Sequence, residues 1–90
     1  MKVYTLVNVW SYNGDSWGKC IGVYSSEEQA QEAMKKNIVE IKGDWVANCR
    51  AESENDFKIR TTPRAYGITS LIDSDYDDLI IEEHEVEDII

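Results

Sequence analysis

The 90-residue chain has few of the residues that mark several common classes of protein. It contains one proline and two cysteines, and no apolar run approaches the roughly 18 residues of a membrane-spanning helix. Cys20 and Cys49 are too few for a disulfide framework. We therefore expect a cytoplasmic protein with reduced cysteines and no membrane partner.

Residues that carry catalysis or hold cofactors are also scarce. His84 is the only histidine, no Cys-x-x-Cys spacing occurs, and the glycines are too scattered to form a phosphate-binding loop. Carboxylates are numerous, but no pair of them is set apart for acid–base catalysis. The sequence therefore predicts a protein that is not an enzyme and that uses no cofactor.

Basic residues are absent from the last part of the chain. Residues 1–64 carry nine acids and nine bases, whereas residues 65–90, here called the acidic segment, carry nine acids and no Lys or Arg. The net charge of −9 therefore belongs to the acidic segment of what we expect to be a single domain, with residues 1–64 as a neutral scaffold. Such a chain would repel phosphates, so direct binding to nucleic acid is not expected.

The N-terminal half has clear patterns of secondary structure. Val3 to Trp10 and Lys19 to Tyr24 are β-branched and aromatic, and Asn13-Gly14 between them favours a tight turn, which predicts a β-hairpin. A capping box, Ser25 with Glu28 or Ser26 with Gln29, predicts a helix from Ser26 to about Lys42 that ends at Gly43. Its apolar face consists of Ala30, Ala33, Met34, Ile38 and Ile41.

The C-terminal half is less regular. Residues 44–50 fit either a short strand or an extension of the helix, and residues 66–69 are ambiguous. Phe57 to Arg60 alternates as a strand that Pro63 stops, and Leu79 to about Val86 reads as another strand. The predicted fold class is α+β: a small antiparallel sheet of three to five strands with one amphipathic helix packed on one face.

The acidic segment has three competing interpretations. Its carboxylates could solvate a loop and an edge strand and so prevent aggregation. Alternatively, they could imitate a nucleic-acid backbone, because Glu83, Glu85 and Glu87 would form a row with a spacing of about 6.6–6.8 Å on one face of a strand. Under that interpretation the residues that bind a basic partner are Asp73, Asp75, Asp77, Asp78, Glu82, Glu83, Glu85, Glu87 and Asp88.

Calcium binding is the third interpretation. Asp73, Asp75 and Asp77 match the opening of an EF-hand loop. The sixth position of that loop is Asp78 instead of glycine, and the twelfth is His84 instead of glutamate. This pattern therefore predicts at most a looser oxygen-ligand site for Ca²⁺.

The hairpin also carries a group of aromatic residues. Trp10, Tyr12 and Trp17 lie near its predicted tip. They could form a binding platform, but we favour the interpretation that Trp10 and Trp17 pair across the hairpin, because such pairs stabilise small hairpins.

The hairpin, the Gly-Val-Tyr-Ser-Ser-Glu-Glu helix start and the closing Ile-Ile-Glu-Glu-His-Glu-Val strand resemble small uncharacterised proteins of bacteria and their phages. In size and charge the chain also resembles small acidic phage inhibitors, including anti-CRISPR proteins. These resemblances imply an inhibitor that acts in the host cytoplasm on a basic protein, such as a nucleic-acid-binding nuclease or a CRISPR effector. The alternative is a structural or accessory domain that binds Ca²⁺ through the three aspartates.

Overall fold

The structure, a computed structural model, describes residues 1–47, 57–71 and 75–86. The acids Asp73, Glu87 and Asp88 lie outside these residues, as does Cys49. The predicted roles of those four residues therefore lie outside the part of the chain that the structure describes.

The predicted hairpin is present at the N-terminus. Its strands are β1 (Lys2–Tyr12) and β2 (Asp15–Tyr24), which pair antiparallel. Asn13 and Gly14 form the loop with φ angles of 53° and 85°, the left-handed backbone that a two-residue hairpin turn needs. The register shifts between Leu6 and Val7, so β2 bulges at Ile21.

The helix, α1 (Glu27–Ala47), is one turn longer than predicted. Gly43 does not end it, because Trp45 continues the apolar face beyond Ile41 and is fully buried. Burial of a large side chain contributes about 3 kcal/mol, which outweighs the cost of about 1 kcal/mol for a glycine inside a helix. At the start, Ser26 Oγ accepts a hydrogen bond from the Gln29 N–H at 3.2 Å, so the second of the two predicted caps is the one that forms.

Three further strands complete the sheet: β3 (Phe57–Thr62), β4 (Ala65–Ser70) and β5 (Tyr76–Glu85). All pairs are antiparallel, and the order is β2-β1-β5-β4-β3. The predicted α+β fold class, with one helix on a sheet, is confirmed. β5 begins three residues before Leu79, so Asp77 and Asp78 belong to the strand instead of a preceding loop.

The interpretation that places the acidic strand at an edge is wrong for β5 as a whole. β5 is the central strand, hydrogen-bonded to β1 on one side and to β4 on the other. Its row of acids is typical of an edge, but the order of strands depends on long-range pairing with β1, which a local pattern does not contain. The outermost strands of the sheet are β2 and β3, but the pairing of β5 with β4 ends at Ile80, so Glu82, Glu83 and Glu85 lie on a segment that is paired with β1 alone.

α1 covers one face of the sheet, here called the helix face; the other is called the open face. The predicted apolar face of the helix is confirmed, since Ala30, Met34 and Ile41 are buried in the core and Ala33 and Ile38 pack against it. On the strands, the core consists of Leu6, Tyr66, Ile68, Leu79 and Ile81. Because side chains alternate along a strand, the β-branched residues of β1 at positions 3, 5, 7 and 9 lie on the open face.

Candidate functional site

The acids of β5 are divided between the two faces of the sheet. Leu79 and Ile81 are buried in the core beneath α1, which identifies the odd-numbered positions as those on the helix face. Asp77, Glu83 and Glu85 therefore lie on the helix face, and Asp78 and Glu82 lie on the open face. Of the predicted row of three glutamates, the described residues contain Glu83 and Glu85, which share a face as expected.

Asp77 connects three parts of the fold. Its Oδ1 accepts a hydrogen bond from the Asn8 side chain at 3.1 Å, and its Oδ2 accepts one from the Trp45 indole N–H at 3.0 Å. Asn8 also donates to the backbone carbonyl of Asp78 at 2.9 Å. The carboxylate thus joins β1, α1 and β5, and a partner could bind it only by breaking these bonds.

Asp75, like Asp77, joins separate parts of the fold, in this case the turn of the hairpin and the residues before β5. Its side chain is buried, and its Oδ1 accepts a hydrogen bond from the backbone N–H of Asn13 at 3.2 Å. Its backbone carbonyl accepts the N–H of Ser70 at 2.9 Å. Asp75 therefore holds the hairpin turn against the start of β5.

Asp78 faces Arg60 across a glycine. The Arg60 Nη2 is 3.5 Å from Asp78 Oδ1, and Gly67 of β4 lies between the two strands that carry them. A Cβ at Gly67 would lie 2.6 Å from Asp78 Oδ1 and 3.3 Å from Arg60 Nη2. The absence of a side chain at position 67 is what lets this ion pair cross β4.

The stability contributed at Asp78 should depend on pH. Desolvation raises the pKa of its carboxyl above the ordinary value of 3.8, and Arg60 opposes the shift. A raised pKa means that the folded state binds the proton more tightly than the unfolded state does. The stability that this proton contributes is therefore complete below the unfolded-state pKa, and it is lost as pH rises through the folded-state pKa. We expect Asp78→Asn to gain stability relative to wild type as pH rises from 3.8 to neutrality. Urea unfolding across that range measures the difference, and a difference that is independent of pH would contradict the prediction.

The far end of β5 is the exposed part of the strand. The side chains of Glu82, Glu83 and Glu85 are 54%, 35% and 68% exposed, against 26% for Asp78. Glu85 lies 3.6 Å from the N-terminal amine, and Glu82 lies 3.7 Å from His84 Nε2. Exposed pairs of this kind contribute about 0–1 kcal/mol, so they leave these carboxylates available to a partner.

Glu83 lies in a cluster of charges at the N-terminal end of α1. It accepts a hydrogen bond from the Tyr4 hydroxyl at 3.2 Å, and Lys2 and Arg64 approach it at 3.9 Å and 3.5 Å. Arg64 also donates to Glu27, and this hydrogen bond lowers the pKa of the Glu27 carboxyl. The bases thus neutralise Glu83 from the helix face, and Glu82 and Glu85 dominate the negative charge at this end of the strand.

Sequence reasoning missed several members of this site. The roles of Asn8, Trp45 and Arg64 depend on contacts between residues far apart in the chain, and no local pattern contains them. The closest available signal was the three- and four-residue spacing that continues from Ile38 and Ile41 to Trp45. That spacing predicts burial of Trp45 but not its hydrogen bond.

The aromatic residues of the hairpin form the predicted cross-strand pair. The rings of Trp10 and Trp17 stack with their centres 6.1 Å apart and 23° between their planes. Tyr12, the last residue of β1, is exposed and lies opposite Asp15. The pair therefore has a structural role in the hairpin, although Trp17 remains 45% exposed.

Other chemistries have little support within the part of the chain that the structure describes. No group of three or more His, Cys, Asp or Glu could hold a metal ion, and Asp75 and Asp77 already accept hydrogen bonds from the protein. No helix there is long and apolar enough to cross a membrane. A groove of about 350 Å³ beside Gly67 and a wider one of about 840 Å³ beside Tyr24 both lack a nucleophile paired with a base.

No family model matches the chain, and no curated protein or solved structure matches it. The function must therefore be argued from the geometry of the site. That geometry separates three aspartates that contact other elements of the fold, at positions 75, 77 and 78, from the glutamates at positions 82, 83 and 85 at the end of β5.

Proposed function

We propose that the protein is a small non-catalytic binding protein that presents the exposed end of β5 to a basic groove. The contact surface is the end of β5, with Glu82 on the open face and Glu83 and Glu85 on the helix face; Glu87 and Asp88 follow them in the sequence. We call Glu82, Glu83 and Glu85 the β5 glutamates. The observation that carries the proposal is that Glu82 and Glu85 are 54% and 68% exposed, while pairing with β1 fixes the backbone that bears them as far as Glu85.

The position of β5 supports a rigid array of charge. The pairing of β5 with β1 extends to Glu85 itself, opposite Lys2, whereas its pairing with β4 ends at Ile80. Glu83 and Glu85 are therefore held at the spacing of about 6.6–6.8 Å that a strand imposes. Charges on a fixed backbone lose less conformational entropy on binding than charges on a flexible tail, which favours recognition of a partner with regularly spaced basic groups.

The charge of the chain supports a basic partner. A net charge of −9 on 90 residues attracts a positively charged surface over distances of about one Debye length and repels nucleic acid. The partner we propose is a nucleic-acid-binding protein, such as a nuclease or a CRISPR effector, whose phosphate-binding groove the β5 glutamates would occupy. In that role the protein would be an inhibitor of the kind that phages and mobile elements encode, acting in the host cytoplasm.

Neutralising the β5 glutamates tests the proposal. The variant Glu82→Gln/Glu83→Gln/Glu85→Gln keeps the size of each side chain and removes three charges. In a pull-down from host lysate, we expect wild type to retain a basic protein at about 0.05 M salt, to lose it at about 0.5 M, and to release it to duplex DNA. The triple variant should bind that protein at least about tenfold more weakly, a change of about 1.4 kcal/mol.

A matched control separates a local effect from a change in total charge. The variant Glu28→Gln/Glu32→Gln/Glu40→Gln removes the same number of charges from α1 and leaves β5 intact. We expect it to bind nearly as tightly as wild type. Equal retention of the partner by the β5 variant and by wild type would remove the proposal, and so would equal weakening by both triple variants.

A further inference from the structure

β2 is an edge strand with a regular and exposed stretch. It pairs with β1 alone, and every residue from Asp15 to Cys20 is exposed. The two-residue turn closes on the pair Tyr12 and Asp15, which in such hairpins exchanges backbone hydrogen bonds. The backbone N–H and C=O groups therefore point towards β1 at Asp15, Trp17 and Lys19. They point outwards, away from β1, at Ser16, Gly18 and Cys20. The bulge at Ile21 ends this regular edge.

The side chains along this edge are complementary to themselves. Asp15, Trp17 and Lys19 lie on one face because residues two apart share a face. An antiparallel copy related by a twofold axis at Trp17 would exchange backbone hydrogen bonds between Ser16 and Gly18 of the two chains. Asp15 of each copy would then lie opposite Lys19 of the other, which makes two such pairs. The two Trp17 rings would lie opposite each other.

We propose that β2 pairs edge to edge with β2 of a second copy of this chain, in the register that places Trp17 on the twofold axis. The charged pairs occupy positions without backbone hydrogen bonds, where opposed Cα atoms lie only about 4.5 Å apart. The stacked Trp10–Trp17 pair would continue into the same pair of the second copy. The result is a ten-stranded sheet that runs through two molecules.

Other arrangements of the same edges are less favourable. A twofold axis at Gly18 would place Asp15 opposite Ile21 at the bulge, and its charge would have no partner across the interface. The other edge strand, β3, carries Lys58 and Arg60 two residues apart, so a symmetric pairing about Ile59 would bring like charges together. Charge complementarity therefore selects β2 and the axis at Trp17.

The acidic character of the chain does not prevent this pairing. Trp10, at the paired end of β1, is eight positions along the strand from Lys2, which lies opposite Glu85. This distance is about 27 Å at the usual rise of a strand, against a Debye length of about 8 Å at physiological salt. Repulsion between the β5 glutamates of the two copies is therefore screened. The paired stretch is short, so we expect a weak dimer with a dissociation constant on the order of tens of micromolar.

Charge exchange tests the dimer and its register. By analytical ultracentrifugation, wild type should show a reversible monomer–dimer equilibrium. Asp15→Lys and Lys19→Asp should each weaken it by at least about tenfold, because each places like charges opposite each other twice. The double variant Asp15→Lys/Lys19→Asp should restore it, and a mixture of the two single variants should form a heterodimer. Both substitutions are at exposed positions, and circular dichroism checks that the variants stay folded.

Several results would overturn the proposal. These are a wild-type protein that stays monomeric up to about 1 mM, single variants that dimerise as well as wild type, and a double variant that fails to recover. The triple Gln variant of the β5 glutamates serves as a control, because it should dimerise like wild type. The dimer is thus tested separately from the binding of a basic partner.

Discussion

Replacement of Trp45 with alanine is expected to lower the free energy of unfolding by about 3–5 kcal/mol. The side chain is fully buried, packs edge to face on Phe57 with ring centres 6.3 Å apart, and donates its indole N–H to Asp77. The substitution would leave a cavity beneath the last turn of α1, and Asp77 Oδ2 would lose the hydrogen bond from the indole N–H. A small domain has total stability on the order of 5–15 kcal/mol, so this single change would remove a large fraction of it.

Urea unfolding followed by circular dichroism measures this loss. Val39→Ala is the control, because Val39 lies on the same helix and is 72% exposed, so its truncation should change stability by less than about 0.5 kcal/mol. The loss of unfolding free energy for Trp45→Phe should lie between those of Trp45→Ala and Val39→Ala, since the phenylalanine keeps a ring in the core but cannot form the hydrogen bond. A loss below about 1 kcal/mol for Trp45→Ala would show that the last turn of α1 does not pack on the sheet as described.

Replacement of Asp77 with alanine is expected to cost about 2–4 kcal/mol, although the substitution removes a negative charge from a strongly acidic chain. In this half-buried site the indole N–H of Trp45 would lose its bond to Asp77, and the side-chain amide of Asn8 would keep only its bond to the carbonyl of Asp78. An unsatisfied donor in such a site costs about 1–3 kcal/mol. Relief of repulsion between exposed acids is smaller than this, because solvent screens it.

The matched control for Asp77 lies on the same strand. Glu82→Ala removes an equal charge from a side chain that is 54% exposed, and its effect should stay within about 0.5 kcal/mol. Thermal or urea unfolding of both variants gives the comparison. Equal effects at the two positions would contradict the division of β5 into structural and exposed acids.

The elements that could be predicted from the sequence are those that local chemistry determines. Asn13 and Gly14 indicate the turn of the hairpin because both tolerate positive φ, and Ser26 with Gln29 indicates the start of α1. The apolar face of α1 follows from its spacing. Pro63 ends β3 because proline cannot donate to the ladder.

The order of the strands could not be predicted, since it depends on pairing between residues as far apart in the chain as Lys2 and Glu85. The acids of β5 are typical of an edge strand, whereas β1 pairs with β5 as far as Glu85 and β4 pairs with it from Tyr76 to Ile80. The pair formed by Arg60 and Asp78 likewise needs a gap at Gly67 that only the three-dimensional structure reveals. Local composition identified which residues are acidic but not which of them the fold uses.

The uneven distribution of charge along the sequence is partly evened out by contacts in the folded protein. The bases Lys2, Arg60 and Arg64 belong to the neutral scaffold in sequence, yet each contacts an acid of the acidic segment. The N-terminal amine does the same with Glu85. Repulsion within the acidic segment is therefore offset by groups from the other strands, and the charge that remains most exposed is at the end of β5.

The most direct test of the proposed binding surface is the salt dependence of affinity for the captured partner. The dissociation constant would be measured from about 0.05 to 0.5 M salt for wild type and for the two triple Gln variants. We predict that affinity falls steeply with salt for wild type and for the α1 variant, and weakly for the variant of the β5 glutamates. Equal salt dependence for all three proteins would contradict the assignment of binding to Glu82, Glu83 and Glu85.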